Sequence, residues 1–216
     1  GYSITSLIEL LDIDETAETA CEALSHNILI YEAHQSILEK SSHNTYAKKI
    51  VDSWAEGDWF TSKDPLSENI KAIVFRVDGE TNTDDLSPAT EAWSRPDIPL
   101  HAKAMLIKKM DKPLETIKKL KEKELPLAYV GDVVGTGSSR KSAINSVLWH
   151  MGEPIDYIPN KNSGGIVLGG KIAPIFFNTA EDSGALPIQC DVSKLNMGDE
   201  ITIHPYEGII TDSSGN

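Results

Sequence analysis

The sequence contains only two cysteines, Cys21 and Cys190, among its 216 residues. Two thiols exclude a disulfide scaffold, a four-cysteine zinc site and a complete cysteine-ligated iron–sulfur centre within this chain. Because the two lie far apart in sequence, they are typical of reduced thiols, and we expect a cytoplasmic protein. No apolar run approaches the roughly 18 residues of a membrane span, and the first residues lack the features of a signal peptide.

Basic residues are also few. Twenty Lys and Arg against 33 Asp and Glu give a formal net charge of −13. Phosphate backbones and anionic membranes are bound by basic faces, so this balance argues against a general nucleic-acid binder and against a membrane partner. The composition, 40% hydrophobic and 25% charged, is that of an ordinary globular protein with enough apolar residues for a core.

Residues 1–60 have the pattern of short helices. Apolar residues recur three and four positions apart over Ile4–Leu11, and Asp14 and Asn44 stand where helix N-caps are expected. Short helices in a row are typical of the end of a helical stack. The chain begins in mid-helix without a cap, so we expect it to be part of something longer.

A charged, proline-containing joint at residues 61–69 separates the helical part from residues 70–216, where strands and helices alternate. This alternation predicts an α/β domain, and the many Gly and Pro residues favour barrel-like over doubly wound geometry. We predict Trp54, Trp59 and Phe60 to form the contact between the two parts. The predicted elements of the second part are strands at 72–77 (ended by an Asp78–Gly79 turn), 127–134, 172–178 and 201–205, and helices at 100–110, 114–123 and 141–151.

Residues 131–142, GDVVGTGSSRKS, have the order strand, glycine turn and helix start. In this arrangement backbone N–H groups point at an anion. The segment is neither a Walker loop nor a dinucleotide fingerprint, since Arg140 stands where the third glycine would be. Ser138, Ser139 and Arg140 together suit a carboxylate, which takes a bidentate pair from Arg and further bonds from hydroxyls. A serine helix cap beside a solvated arginine fits the spacing equally well.

A polar loop at residues 79–96 is the second candidate. The paired carboxylates of Asp84 and Asp85 could bind a metal or orient a base, although such pairs are more often solvated. Arg95 stands among neutral residues before a proline, which suits an anion ligand.

These motifs together resemble the swivel domain of aconitases, most closely the B-type aconitases of bacteria. The helical first part resembles the end of the HEAT-like domain that precedes the swivel domain in that branch. The fold that the resemblance implies is a short HEAT-like segment (1–60), a joint (61–69) and an α/β swivel domain of the β/β/α barrel-like type (70–216). The motifs that carry it are GETNTDDLSP (79–88), AWSRPDIPLH (92–101), LAYVGDVVGTGSSRKS (127–142), LGGKIAPIFFNT (168–179) and NMGD (196–199).

The resemblance implies that the full protein interconverts citrate and isocitrate by way of cis-aconitate. In the family, a [4Fe-4S] cluster held by three cysteines acts as Lewis acid on the substrate. Cys21 and Cys190 match neither the spacing nor the context of those ligands, so we expect no metal ligand in this chain. The expected partners are the cluster-bearing domains of the same protein, and the chain alone is expected to be inactive.

The resemblance also implies roles for individual residues. Ser138 matches the catalytic serine that removes the substrate α-proton as an alkoxide, an anion that a helix N-terminus and Arg140 would stabilise. Ser139 matches a position whose side chain hydrogen-bonds a substrate carboxylate, and Arg140 matches a position that forms an ion pair with that carboxylate. Arg95 matches a second arginine that binds a substrate carboxylate. Asp84 matches an aspartate that orients an arginine or histidine near the site.

Two other functions stay open at this point. The small subunit of an isopropylmalate-isomerase-like hydro-lyase has a similar Gly-Ser-Ser-Arg turn, although the helical first part suits the aconitase branch better. Aconitases that have lost their cluster can also bind messenger RNA, a role implied only by resemblance and unsupported by the charge of −13. Activity on 2-methylisocitrate and the oligomeric state also stay open.

Overall fold

The fold was examined in a computed structural model, which describes residues 2–27, 31–58, 65–138 and 141–213. The chain divides into two compact units, Gly1–Leu66 and Ser67–Asn216. The first unit is helical and the second is a mixed α/β domain, which confirms the predicted fold class. The joint at 61–69 includes residues outside the described ranges, and its boundaries stay a prediction.

The described part of the first unit consists of four short helices around an apolar centre. Buried aliphatic side chains such as Leu24, Ile37 and Ile50 meet there because each helix turns one stripe inward. Trp54 belongs to the same cluster, and its Nε1 donates to the Ser25 carbonyl at 2.8 Å. Trp59 and Phe60 lie outside the described residues. The helices are α1 (Tyr2–Leu10), α2 (Asp14–Ser25), α3 (Tyr31–Lys40) and α4 (Thr45–Glu56).

The two predicted helix caps of this unit have different outcomes. Asn44 caps α4, since its side chain accepts a hydrogen bond from the Ala47 backbone N–H at 2.9 Å. Asp14 does not cap α2: the cap position is Ile13, which makes no side-chain bond, and Asp14 is the first helical residue. Its charge still lies at the positive end of the helix dipole, which explains why an acidic residue stands there.

The second unit is built on one large mixed sheet. Its order is β6–β5–β2–β1–β7–β8, in which β1, β2, β5 and β6 are parallel and β7 runs antiparallel to β1. The elements are β1 (Ile70–Asn82), α5 (Thr83–Leu86), a 3₁₀ turn (Ala89–Glu91), α6 (Ile98–Ala102), α7 (Pro113–Lys121), β2 (Leu127–Thr136), α8 (Lys141–Met151), β3 (Glu153–Ile155), β4 (Ile158–Ser163), β5 (Ile166–Ile172), α9 (Pro174–Asp182), β6 (Leu186–Gln189), β7 (Glu200–His204) and β8 (Ile209–Asp212).

Both faces of the central strands are buried. Phe75 and Tyr129 lie on the face that the helices cover, together with Ile144 of α8. Their neighbours Val74 and Val130 point to the opposite face, because successive strand residues alternate sides. Strands buried on both faces have continuous apolar sequences, which is why 127–134 could be predicted.

The predicted strand at 172–178 is wrong. β5 ends at Ile172, and Pro174 begins α9, where the fixed φ of proline suits the first turn of a helix. The apolar run across this boundary shows no hydrophobic periodicity, so the sequence pattern alone cannot distinguish a strand from a buried helix there.

The predicted helix at 100–110 is also wrong in extent. Helix α6 begins at Ile98, capped by the Asp97 side chain, and ends at Ala102. Turns follow, and Leu106 has a φ of +61°, which an α-helix excludes.

At β1, the Asp78–Gly79 position is a bulge rather than the end of the strand, since pairing with β2 shifts there and resumes at Glu80.

Candidate functional site

The two polar segments of the sequence leave the sheet side by side. Strands β1 and β2 are parallel neighbours, and Asn82 at the end of β1 pairs with Thr136 at the end of β2. The 82–86 segment and the 137–141 segment therefore begin at the same carboxyl edge. This is the edge at which parallel α/β sheets bind ligands.

The second of these segments is a glycine turn. Gly135 and Gly137 have φ values of +78° and +87°, a region that other residues rarely adopt. Ser138 follows Gly137 and is exposed, and α8 begins at Lys141. Ser139 and Arg140 lie outside the described residues, so their predicted roles stay predictions.

The first segment is a short helix held by a capping box. The Asn82 side-chain oxygen accepts hydrogen bonds from the backbone N–H groups of Asp84 and Asp85, both at 2.8 Å. In return, Asp85 Oδ2 accepts from the Asn82 N–H at 3.0 Å. Asp85 thus has a structural role. Among the residues that the structure describes, no group of three or more His, Cys, Asp or Glu side chains could hold a metal ion.

Asp84 lies in the same short helix. Its Oδ1 accepts a hydrogen bond from the backbone N–H of Ala89 at 2.9 Å, which connects α5 to the following 3₁₀ turn. This bond fixes the carboxylate near the carboxyl edge of β1. Orientation of an arginine or histidine by Asp84 stays a prediction.

Thr83 is a residue that the sequence analysis missed. Its side chain is buried, and its hydroxyl donates to the carbonyl of Ser138 at 2.5 Å. A Cβ at Gly137 would lie 3.5 Å from the same hydroxyl oxygen. Thr83 therefore joins the capped helix to the glycine turn. The sequence offered no signal beyond its place in the TNTDD motif, because the contact depends on strand pairing.

Arg95 has a carboxylate partner that the sequence analysis overlooked. Its Nε donates to Glu91 Oε2 at 2.9 Å and its Nη1 to the Leu100 carbonyl at 3.4 Å. Glu91 lies one helical turn earlier, so Arg95 does not stand among neutral residues only. The side chain is 32% exposed, and no described residue accepts a hydrogen bond from its Nη2.

A small cavity lies beside the first turns of α8. It has a volume of about 130 Å³ and is lined by residues 96–98, His101, Ser142, Asn145 and Ser146. His101 Nε2 lies 3.0 Å from the Pro88 carbonyl and 3.3 Å from Ser87 Oγ, so the ring connects α6 to the 82–91 segment. A larger cavity of about 700 Å³, beside β7 and β8, contains none of the predicted site residues.

An ion-paired cluster supports the bulge of β1. The guanidinium of Arg76 contacts the carboxylates of Asp78 and Asp132, and Asp132 Oδ2 also accepts from the Gly79 N–H at 2.7 Å. The Gly79 N–H and the Arg76 guanidinium lower the pKa of Asp132. The cluster fixes the register of β1 and β2 just before both strands reach the carboxyl edge.

The two cysteines do not fit an iron–sulfur site. Burial raises the pKa of both the Cys21 and the Cys190 thiol, whereas cluster ligands are thiolates. Cys21 Sγ also donates to the Tyr46 carbonyl at 3.5 Å, and the two cysteines belong to different units.

Across the described ranges, no helix is both long and apolar enough to cross a membrane.

Two sequence profiles match the chain. The profile described as "Aconitate hydratase 2 N-terminus" matches residues 72–216, and that described as "Aconitate B N-terminal domain" matches residues 1–60. The chain is 62% identical over 217 residues to Aconitate hydratase B of Synechocystis sp. and 55% identical over 219 residues to that of Escherichia coli. These alignments cover 100% and 96% of this chain but 25% of each relative, so the chain spans about a quarter of their length.

A solved structure is also similar. The crystal structure of 3-isopropylmalate dehydratase from Methanocaldococcus jannaschii has a TM-score of 0.50 and 22% sequence identity to this chain. The match covers 68% of this chain and 78% of the other. At this identity the likeness establishes the fold alone.

Proposed function

The chain belongs to the aconitate hydratase B family, and on that premise we propose that it is the substrate-binding swivel part of a hydro-lyase. The full protein would interconvert citrate and isocitrate by way of cis-aconitate. The observation that carries the proposal is the meeting of Ser138 and the Asn82-capped helix at one carboxyl edge of the sheet. These are the segments whose motifs resemble the aconitase swivel domain.

Ser138 is the proposed base, which takes the proton from the carbon next to a substrate carboxylate. A serine alkoxide is far too basic to form in bulk water at neutral pH, so the site must stabilise the anion. Exposure of Ser138 in a glycine turn three residues before α8 supports this role, since free N–H groups are available where a helix begins.

The substrate carboxylates are the proposed ligands of Ser139, Arg140 and Arg95. A guanidinium binds a carboxylate through two parallel hydrogen bonds, which a lysine cannot reproduce. Arg95 supports this proposal because no described residue accepts a hydrogen bond from its Nη2, while Nε and Nη1 donate to Glu91 and Leu100. Asp84, held by the Ala89 N–H, is the proposed partner that orients an arginine or histidine of the site.

The family's [4Fe-4S] cluster does not fit the cysteines of this chain, and we place its ligands on a part of the protein outside this chain. The partners of the chain are therefore the cluster-bearing domains of the same polypeptide. A cytoplasmic location and an RNA-binding role stay predictions. The alternative of an isopropylmalate-isomerase-like subunit has the shared fold in its favour, but the profile match over residues 1–60 favours the aconitase family.

The test is an assay of the full-length protein on citrate, isocitrate and 2-methylisocitrate, with isopropylmalate as the competing substrate. Arg140→Lys is expected to raise KM roughly tenfold or more with little change in kcat, because an ion pair made in ground and transition states contributes uniform binding. Lys141→Gln, which removes the neighbouring exposed charge, is the matched control. Turnover of isopropylmalate in place of citrate would overturn the proposal, as would an Arg140→Lys enzyme with unchanged KM.

A further inference from the structure

We propose that Thr83 is the positioning residue of the site: its buried hydroxyl holds the carbonyl of Ser138 and thereby orients the side chain that acts as base. The inference rests on the proposed function, since it takes Ser138 to be that base. It adds a residue that does not touch the substrate and acts only through Ser138.

The bond itself joins two distant parts of the chain. The Thr83 hydroxyl donates to the Ser138 carbonyl at 2.5 Å, across 55 residues of sequence. Thr83 is 1% exposed, whereas Ser138 is exposed. The donor is thus protected from water while the residue that it holds faces outward. A buried hydroxyl without a hydrogen bond destabilises the folded state, because its desolvation is not compensated. This contact is therefore strongly favoured.

Thr83 is held rigidly on its own side. It is the first residue of α5, directly after the Asn82 cap, and its carbonyl accepts from the Ser87 N–H at 3.0 Å. A β-branched side chain also has few χ1 rotamers. The position of the hydroxyl is therefore set by the end of β1 and does not depend on the glycine turn.

Ser138 needs such an external contact because two of the three residues that precede it are glycines. Gly135 and Gly137 both have positive φ, and glycine restricts the backbone less than any other residue. Since a peptide unit is planar and includes the Cα before it, holding the Ser138 carbonyl also holds the Ser138 Cα from which the side chain projects. A shift of about 1 Å in a reacting group can cost roughly a hundredfold in rate.

The experiment compares Thr83→Val and Thr83→Ser in the full-length enzyme, with cluster content measured for each. Valine keeps the shape and removes the hydroxyl, and serine restores it. We expect Thr83→Val to lower kcat roughly 10- to 100-fold with KM changed less than about threefold. Thr83→Ser should recover kcat to within about threefold of wild type. Thr179→Val is the matched control, because this buried hydroxyl donates only to the Ile175 carbonyl within α9.

A second arm repeats Thr83→Val in a Ser138→Ala background. If Thr83 acts through Ser138, the residual kcat should fall less than about twofold there, because no base remains to be placed. An undiminished loss in that background would assign Thr83 a purely structural role and overturn the inference, as would a Thr83→Val enzyme with near-wild-type kcat. Failure of the proposed function is distinguishable, since Ser138→Ala alone would then retain kcat.

Discussion

The ring of Phe176 on α9 packs so closely against the backbone of Gly135 that a Cβ at Gly135 would lie 2.1 Å from Phe176 Cγ. Gly135 also has a φ of +78°, and it lies three residues before Ser138. The end of β2 thus follows a path that requires glycine for two independent reasons, and that path leads directly to the proposed base.

Gly135→Ala should therefore destabilise the chain by about 3 kcal/mol or more, because the new methyl group meets a buried ring as well as an unfavourable φ. Gly164→Ala is the matched control: its φ is +77°, but nothing lies within 4 Å of its Cβ position. The backbone cost alone is about 1–2 kcal/mol. The measurement is urea unfolding of the 216-residue chain, and equal losses for the two variants would contradict the packing argument.

The Asn82 cap gives a second stability prediction. Asn82→Ala removes the acceptor of the Asp84 and Asp85 N–H groups and should cost about 1 kcal/mol, whereas Asn82→Asp keeps an acceptor and should cost much less. Urea unfolding midpoints of the two variants measure the difference. An alanine variant as stable as the aspartate variant would show that the capping box contributes nothing.

Much of the second unit could be predicted where periodicity and burial agree. The strand at 127–134 and the helix at 141–151 are continuous apolar or amphipathic segments between turn residues, and both exist, as β2 and α8. The predictions failed where a short apolar run has no period, as at Pro174, or where a cap moves the boundary, as at Asp97.

The site was less predictable than the fold. Ser138 and Asp84 belong to motifs that were quoted from the sequence, but the Thr83–Ser138 bond exists only because β1 and β2 pair in one register. The Glu91 partner of Arg95 was missed for a local reason, since the turn that brings them together was not predicted. Local patterns therefore identified the chemistry, while its geometry depends on long-range pairing.

His150 should make stability depend on pH. Burial lowers its pKa, with the nearby Lys121 charge acting in the same direction, and its Nε2 lies 2.8 Å from the Ala102 carbonyl. In the unfolded chain the pKa is about 6.5, so between that value and the lower folded pKa the unfolded state binds more protons. The contribution of neutral His150 to the free energy of unfolding is therefore fully present above a pH of about 6.5. It is lost as the pH falls from that value through the lower pKa of the folded state.

The measurement is the free energy of unfolding at pH of about 7.5 and about 5, for wild type and His150→Gln. Glutamine keeps an N–H donor without titrating, so the variant should lose less stability on acidification. An identical loss in both proteins would show that His150 does not titrate in this range.

The chain alone should neither hold an iron–sulfur cluster nor act on citrate. The raised thiol pKa values of Cys21 and Cys190, and their places in different units, argue against cluster ligation. The measurement is visible absorbance and iron content after anaerobic reconstitution of the 216-residue chain. Stoichiometric iron that is lost in Cys21→Ser or Cys190→Ser would contradict the prediction.

The most direct test of the central claim is the kcat of Ser138→Ala in the full-length enzyme, with its cluster content verified. Removal of the base should lower kcat by at least about 10²–10⁴ while KM stays near wild type, because the carboxylate contacts remain. Ser142→Ala, in the first turn of α8, is the control and should retain kcat. A Ser138→Ala enzyme with near-wild-type kcat would contradict the account and leave Ser138 only as an exposed residue after the turn glycine Gly137.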